Sequence, residues 1–250
     1  MEVLLPIFVA LLGAILASFI GVMAERLNTG ESWVRGRSHC NSCTRLLTAP
    51  DLVPIASWLA TGGKCIKCKA KLPVTYVASE FLLASVFFLA TLKLGVTPEL
   101  FFFLVSVSIL AFIVLYDLRH MIVPMLASGL FVLSALFFAY LTALGLQDFG
   151  HTLLVSGGIA IAFFLVYFLS KGRVMGLGDS PIALGLGILV GSVAAIPGLV
   201  FSFWIGALCG IAILVGKPAG HRMGIEVPFA PFLAAGFLLA YFSSWSPFAF

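Results

Sequence analysis

Two aspartates stand out because each lies where a long apolar run meets a polar turn. Asp117 lies in the segment Leu115-Tyr-Asp-Leu-Arg-His-Met-Ile-Val-Pro124, and Asp179 lies in Val174-Met-Gly-Leu-Gly-Asp-Ser-Pro181. Charged side chains are costly near hydrocarbon, so such residues are candidates for function. Two carboxylates that lie close together can share one proton, the arrangement that an aspartyl peptidase requires. One carboxylate would activate a water, and the other would hydrogen-bond to the developing oxyanion.

Each aspartate also has a structural interpretation when it is taken alone. Asp179 could cap a helix that continues through Pro181, and Asp117 could be a loop residue paired with Arg119. A lone Gly-x-Gly-Asp motif is weak evidence for a catalytic site. The combination is stronger if both motifs fall on the same face of a membrane, which depends on the topology. The glycines before Asp179 are expected to let a neighbouring backbone or helix approach closely.

Four cysteines form two Cys-x-x-Cys pairs, Cys40 with Cys43 and Cys65 with Cys68, separated by 21 residues. Such pairs can each occupy one edge of a tetrahedral metal site, and four thiolates suit zinc. A site with four protein ligands leaves no open position, so its role is expected to be structural. A disulfide pair and a redox Cys-x-x-Cys are the competing interpretations. The fifth cysteine, Cys209, is expected to be a packing residue.

The composition is that of a helical membrane protein. Hydrophobic residues make up 62%, charged residues 10%, and the mean hydropathy is +1.18, whereas soluble domains contain about 45–50% apolar and about 25% charged residues. The apolar runs are continuous rather than alternating, which favours helices over a barrel. The net charge of +4 comes from basic residues in several short loops, so nothing indicates a nucleic-acid partner.

The predicted fold is therefore all-α, with about eight transmembrane helices and a small cytoplasmic zinc-binding insert. We expect residues 1–24 to form a first, retained helix, residues 25–75 the four-cysteine zinc-binding domain, and residues 76–250 a seven-helix membrane domain that carries both aspartates. No internal repeat is evident. The eight predicted spans are 3–24, 76–92, 100–116, 123–144, 152–169, 181–196, 198–215 and 229–245.

The basic residues predict the orientation of these spans. Thirteen of the fourteen lie in the insert or in the loops after the third, fifth and seventh spans, and Lys93 is the exception. Positive loops stay in the cytoplasm. The N-terminus is therefore expected outside, with the zinc domain and both aspartates on the cytoplasmic side. The basic residues on the predicted cytoplasmic side are Arg26, Arg35, Arg37, Arg45, Lys64, Lys67, Lys69, Lys71, Arg119, Lys171, Arg173, Lys217 and Arg222.

Over almost its whole length the chain resembles the type IV prepilin peptidase family, the intramembrane GxGD aspartyl peptidases of pilus and type II secretion systems. Asp117 with Pro124 and the Gly176-Leu-Gly-Asp179 segment resemble the two catalytic motifs of that family. The other similar segments are Ala17-Ser-Phe-Ile-Gly-Val-Met-Ala-Glu-Arg-Leu27, Arg37-Ser-His-Cys-Asn-Ser-Cys43, Ile55-Ala-Ser-Trp58, Gly63-Lys-Cys-Ile-Lys-Cys68, Tyr76-Val-Ala-Ser-Glu80 and Val227-Pro-Phe-Ala-Pro-Phe-Leu-Ala-Ala-Gly236.

The resemblance implies an enzyme of the bacterial inner membrane. Its substrates would be type IV prepilins or pseudopilins, whose short basic leader is cut off at the cytoplasmic face. It also implies S-adenosylmethionine-dependent methylation of the new N-terminus, alongside the structural zinc. The chain departs from the family at two positions. Pro181 replaces a common lysine, which changes the electrostatics near Asp179 but removes no catalytic carboxylate. Gly21 replaces a common asparagine, and the methyltransferase activity is weakened if that position serves methyl transfer.

Three alternatives stay open at this point. The chain could be a peptidase without methyltransferase activity, or a transporter or channel that uses Asp117 and Asp179 in a proton or cation path. It could also be a nonenzymatic assembly protein whose zinc module binds partners. Clustering of the charges near one face argues against a transporter, since a relay distributes ionisable groups through the membrane. Glu80 is expected to be a partly solvated residue of the first helical turns, with substrate contact as the alternative.

Overall fold

The computed structural model describes residues 4–27, 29, 32, 36–216 and 227–243. Several residues of the sequence analysis lie outside this part of the chain: Arg35, Lys217, Arg222 and the end of the last predicted span at Trp245. The described residues confirm the all-α class, since their regular structure is helical apart from two isolated β-bridges. The helices are α1 Leu4–Arg26, α2 Ala56–Ala60, α3 Val74–Leu94, α4 Pro98–His120, α5 Met125–Thr142, α6 Leu146–Ser170, α7 Asp179–Val190, α8 Ser192–Val215 and α9 Ala230–Ser243.

Each of the eight predicted spans corresponds to one helix, but two of the helices are short. Among the described residues, six helices (α1, α3, α4, α5, α6 and α8) are long and apolar enough to cross a membrane. Helix α7 has 12 residues and α9 has 14. The predicted sixth span, 181–196, is too long because Gly191, at φ +81°, ends α7, and α8 begins at the next residue. This backbone conformation suits glycine and interrupts the helix.

The chain divides into two compact units, residues 1–100 and 101–250. In the first unit, α1 packs against α3. Gly13 makes this packing close, since a Cβ built there would lie 2.8 Å from Cγ of Phe87. Near the other ends of the two helices, the hydroxyl of Tyr76 donates a hydrogen bond of 2.8 Å to Glu25. Small residues allow such close helix contacts in membranes.

In the second unit, the short helix α7 packs against α5, α6, α8 and α9. Most of its residues are buried, which explains why it is apolar around its whole circumference. Two of its glycines make the contacts close. A Cβ on Gly185 would lie 2.5 Å from the ring of Phe131, and one on Gly187 would lie 2.8 Å from Oγ of Ser156. The first residue of this central helix is Asp179.

Candidate functional site

The two aspartates occupy helix ends in the second unit. Asp117 lies in the last turn of α4, which ends at His120, and Asp179 is the first residue of α7. Both residues are buried, with relative exposures of 5% and 7%. Burial of carboxylates is rare unless they are paired, hydrogen-bonded or used in chemistry.

A close backbone contact brings the two helix ends together. A Cβ on Gly178 would lie 2.7 Å from Cγ2 of Val123, so only glycine fits without a shift. Val123 belongs to the short connection between α4 and α5, six residues after Asp117. The Gly-x-Gly-Asp turn therefore packs directly on the segment that follows the first aspartate. Asp117 and Asp179 lie close enough that a negative charge on one carboxylate acts on the other.

Backbone N–H groups contact both carboxylates. The N–H of Ala230, the first residue of α9, donates to Asp117, and the N–H of Gly176 donates to Asp179. The Oγ of Ser180 donates a 2.8 Å hydrogen bond to the carbonyl of Ala160 and so joins the start of α7 to α6. Neither Ala230 nor Ser180 has a sequence signal for a site role, although Ala230 lies within the family-like segment that ends at Gly236. Contacts from separate helices orient the pair.

The structure does not place Asp179 at the N-cap position that its structural interpretation required. Gly178 occupies the N-cap position of α7, and the cap has no side-chain hydrogen bond. Asp179 instead lies in the first helical turn, where the helix dipole favours a negative charge. Two buried carboxylates in Coulombic range can hold one proton between them, since ionising both would place two negative charges together. The arrangement can therefore supply one proton donor and one acceptor at one site.

The four predicted metal ligands lie together in the first unit. One ligand atom from each of Cys40, Cys43, Cys65 and Cys68 lies within 4.8 Å of the others, so the cluster could hold a metal ion. The Cys40–Cys68 and Cys43–Cys65 Sγ distances are 3.9 and 4.0 Å, and none of the four is in a disulfide. Tetrahedral zinc with bonds of about 2.3 Å requires sulfur–sulfur distances of about 3.8 Å. The cluster fits this geometry.

The two Cys-x-x-Cys turns repeat the same backbone hydrogen bonds. Cys40 N–H donates to Arg45 and Thr44 N–H donates to Cys40, at 2.9 Å each. The second turn repeats both bonds at positions 25 residues later, Cys65 to Ala70 at 2.9 Å and Lys69 to Cys65 at 3.0 Å. This is a short structural repeat, although the sequence analysis found none. The signal was weak because only the cysteines and the leucine that ends each segment, Leu47 and Leu72, are identical between the two turns.

Backbone donors also favour thiolates in the cluster. The N–H groups of Cys68 and Lys67 point to the Cys65 sulfur and lower its pKa to about 6. The N–H groups of Ser42 and Cys43 lower the pKa of Cys40 in the same way. The N–H of Ala70 acts in the same direction on Cys68, but burial and the neighbouring cysteine sulfurs outweigh it and raise the pKa of Cys68 to about 11. Metal ligation requires the thiolate, so the backbone of each turn favours ligation while the crowding of the four sulfurs opposes it until a cation binds.

Glu80 differs from its sequence-based interpretation. It was expected to be partly solvated, but it is only 8% exposed. Its carboxylate accepts a 2.7 Å hydrogen bond from the N–H of Ile55, whose φ is +62°. The expectation was wrong because the segment before α2 folds back onto α3 and covers the side chain. Glu80 thus joins the four-cysteine insert to helix α3 of the same unit.

Comparison with known proteins gives a consistent result. Residues 11–94 match the bacterial peptidase A24 N-terminal domain, and residues 104–211 match the type IV leader peptidase family. A prepilin leader peptidase/N-methyltransferase of Bacillus subtilis is 31% identical over 230 residues, covering 92% of this chain and 90% of that protein. The chain belongs to the type IV leader peptidase family. The predicted family and enzyme class, an aspartyl-type leader peptidase, are confirmed at this level.

Two other members of the type IV leader peptidase family are similar to this chain over most of its length. The prepilin leader peptidase/N-methyltransferase of Myxococcus xanthus is 30% identical, covering 88% of this chain and 66% of that protein. The type 4 prepilin-like proteins leader peptide-processing enzyme of an Escherichia coli strain is 29% identical, with 80% and 73% covered. No solved structure matches significantly. Family membership and the apolar helices indicate a multi-pass protein of the bacterial inner membrane.

Proposed function

We propose that this chain is an intramembrane aspartyl endopeptidase whose catalytic residues are Asp117 and Asp179. The observation that carries the proposal is the burial of both carboxylates, in Coulombic range of each other, at the ends of α4 and α7. Family membership supports it, and the two motifs fall within the residues that match the leader peptidase model. Nothing in the structure or the comparisons favours the transporter or the assembly protein.

The geometry supports a mechanism in which the two aspartates hold one proton. The ionised carboxylate takes a proton from a water, and the resulting hydroxide attacks the carbonyl carbon of the scissile bond. The protonated carboxyl donates a hydrogen bond to the oxygen on which negative charge develops. The proton is then passed to the leaving amine nitrogen as the carbon–nitrogen bond breaks. Backbone N–H groups of Ala230 and Gly176 hold the carboxylates in place for these steps.

The proposed substrates are type IV prepilins or pseudopilins. The named relatives process prepilins or prepilin-like proteins. Such a substrate has a short basic leader followed by an apolar helix, so its cleavage site can enter the bilayer from the cytoplasmic side. A site on buried helix ends suits this substrate, since the apolar helix can lie in lipid while the scissile bond reaches the carboxylates.

We propose the sidedness predicted from the basic loops, with the N-terminus outside and the zinc-binding insert and both aspartates cytoplasmic. The exposed cations of the insert, such as Lys67 and Lys69, and those of the α6–α7 connection, Lys171 and Arg173, support it. The functional division into residues 1–24, 25–75 and 76–250 is part of this proposal. The metal is proposed to be zinc in a structural role, because four cysteine ligands leave no position for a substrate.

A second activity, N-methylation of the new N-terminus, is proposed from the names of the relatives. The methyl group would be supplied by S-adenosylmethionine when it is bound, and the methylated amine would give up one proton to solvent. Gly21, where the family commonly has asparagine, lies beside Tyr76, since a Cβ built on it would be 3.8 Å from the Tyr76 ring. The departure therefore lies in the first unit, away from both aspartates in sequence.

The peptidase proposal is tested with a purified type IV prepilin and the full chain in reconstituted membranes. Asp117→Asn and Asp179→Asn keep the size and hydrogen-bonding capacity of the side chain but remove the charge. We expect each to reduce cleavage roughly 10²–10⁴-fold or more. Asp148→Asn, at an exposed position at the start of α6, is the matched control and should cleave normally. Normal cleavage by either site variant would overturn the mechanism.

A further inference from the structure

The second Cys-x-x-Cys turn of the insert carries a strongly cationic surface. Four of its exposed residues are lysines: Lys64, Lys67, Lys69 and Lys71. No aspartate or glutamate lies between Asp51 and Glu80 in the sequence, and both of these carboxylates are occupied by other contacts. Among the described residues, none of the four lysines forms an ion pair. Lys64 and Lys71 lie opposite each other in an antiparallel bridge, where like charges are destabilising unless an anion lies near them.

The first Cys-x-x-Cys turn has the same backbone but a different surface. The backbone hydrogen bonds of the two turns repeat, so their tips can be compared position by position. The tip of the first turn consists of Asn41, Ser42 and Thr44, and the tip of the second turn consists of Ile66, Lys67 and Lys69. Asn41 donates a 2.9 Å hydrogen bond to Glu25, which holds the first tip against α1. Ile66 is 55% exposed, so the second tip presents one apolar and two cationic side chains, all of them exposed.

The second turn is connected closely to a helix of membrane-crossing length. Helix α3 begins at Val74, three residues after Lys71, and is long and apolar enough to cross a membrane. The turn and α3 belong to the same compact unit. Cationic residues next to a membrane helix are attracted to anionic headgroups, with a gain in affinity of roughly fivefold for each lysine near the surface. The exposed Ile66 adds an apolar group of the kind that enters the interface in amphipathic membrane-binding segments.

We propose that the second Cys-x-x-Cys turn docks on the headgroups of anionic phospholipids in the same bilayer that α1 and α3 cross. Lys67 and Lys69 pair with the headgroup phosphates, and Ile66 enters the apolar boundary beneath them. The aliphatic stems of the lysines can lie in this boundary while their ammonium groups stay at the surface. A bilayer supplies both the anions and the apolar layer, whereas a free phosphate offers nothing to Ile66. The inference goes beyond the proposed peptidase and concerns the first unit alone.

The test is photocrosslinking of lipid to the zinc-loaded full chain in nanodiscs. The bilayer contains phosphatidylcholine and phosphatidylglycerol, and one of the two lipids carries a diazirine near its headgroup. Mass spectrometry then measures the labelling of residues 63–72. We expect the phosphatidylglycerol probe to label this turn roughly tenfold more than the phosphatidylcholine probe does. Residues 38–47, which form the first turn, are the internal control and should show a much smaller difference between the probes.

Paired substitutions separate the effect of charge from loss of folding. Lys67→Gln with Lys69→Gln should lower labelling by phosphatidylglycerol roughly tenfold, whereas Lys67→Arg with Lys69→Arg should keep it. Ile66→Asn, which copies the residue of the first turn, should lower it roughly threefold. Lys171→Gln with Arg173→Gln removes two cations from the second unit, and this matched control should leave the labelling unchanged. One zinc per chain in every variant shows that the insert is folded.

Equal labelling by the two probes in the wild type, undiminished labelling in the paired glutamine variant, or lost labelling in the paired arginine variant would overturn the inference. Displacement of the lipid probe by inorganic phosphate, but not by chloride of equal ionic strength, would show a site for free anions and would also overturn it. The outcome is distinguishable from that of the peptidase test, since Asp117→Asn should lose cleavage yet keep the preference for phosphatidylglycerol. Nanodiscs carry the same lipids on both faces, so the result does not depend on the proposed sidedness.

Discussion

Gly178 lies against Val123 so closely that a Cβ on the glycine would be 2.7 Å from Cγ2 of the valine. The contact joins the turn before Asp179 to the segment after Asp117, so the two segments that carry the carboxylates pack directly on each other. The conformation of Gly178 is ordinary for any residue, with φ −65° and ψ −22°. Glycine is required there for space and not for its backbone freedom.

The two glycines of the Gly-x-Gly-Asp motif, Gly176 and Gly178, should therefore differ in how well they tolerate substitution by alanine. Gly178→Ala must move Val123 or α7, and we expect cleavage to fall roughly 10²-fold, as small misplacements of reacting groups do. Gly176→Ala places its Cβ 3.6 Å from Oδ2 of Asp179, an ordinary contact, so the loss should be less than about tenfold. Prepilin cleavage rates measure both. Equal losses would show that the contact with Val123 does not set the geometry.

Ser180 is proposed as a positioning residue, since its hydroxyl joins the start of α7 to the carbonyl of Ala160 at 2.8 Å. Ser180→Ala should lower kcat roughly threefold to tenfold and leave KM nearly unchanged, because the substrate is not contacted. Ser108→Ala, which removes a 2.7 Å bond within α4 itself, is the control and should have little effect. A change in KM alone would contradict a positioning role.

Loss of the metal from the four-cysteine cluster should destabilise the first unit. Cys65→Ser takes away one of four ligands whose sulfurs already match a tetrahedral site, and we expect metal content to fall well below one zinc per chain. Thermal unfolding of the chain should shift to lower temperature. Cys209→Ser, in α8, lies outside the cluster and should retain one zinc. Elemental analysis of the purified proteins measures this, and full zinc retention by Cys65→Ser would contradict the site.

The Arg45–Asp51 pair should stabilise the insert with a defined pH dependence. The N–H and hydroxyl of Thr48 and the Arg45 guanidinium, 2.6 Å away, hold the pKa of Asp51 below its ordinary value. A lowered folded pKa gives stability that is complete above about pH 4 and is lost as the pH falls through the folded value.

Asp51→Asn should therefore destabilise the insert by about 1 kcal/mol, after allowance for the partial exposure of Arg45. The loss should be the same at pH 5 and pH 7, since the carboxylate is ionised at both. Chemical unfolding of the zinc-loaded protein at the two pH values checks this. A loss that changes between pH 7 and pH 5 would show that the pKa of Asp51 is raised into that range rather than lowered.

Much of the fold was predictable because hydrocarbon imposes strong rules on sequence. Long apolar runs predicted the six helices long enough to cross a membrane and the shorter apolar helices α7 and α9. The Cys-x-x-Cys spacing predicted the four cysteines that the structure brings together. Asp117 and Asp179 were conspicuous because few charges lie near apolar segments. These features depend on residue type and spacing, which the sequence displays directly.

Other features depend on contacts between distant residues and left no local signal. Gly191 ends α7, but in the sequence it could not be distinguished from the many other glycines of the chain. The burial of Glu80 depends on how the segment around Ile55 folds back. The donation from Ala230 to Asp117 depends on where α9 starts relative to α4. Each required the tertiary structure.

The shortness of α7 has a consequence for how deep the chemistry lies. Its 12 residues rise about 18 Å, whereas the hydrocarbon layer is about 30 Å thick. The adjoining α8, with 24 residues, is long enough to cross completely, so the bend at Gly191 belongs at one surface. Asp179, at the opposite end of α7, is then recessed by roughly 12 Å below the other surface. In the proposed mechanism, a peptide bond therefore leaves bulk solvent before it is hydrolysed, and water follows it into the lipid layer.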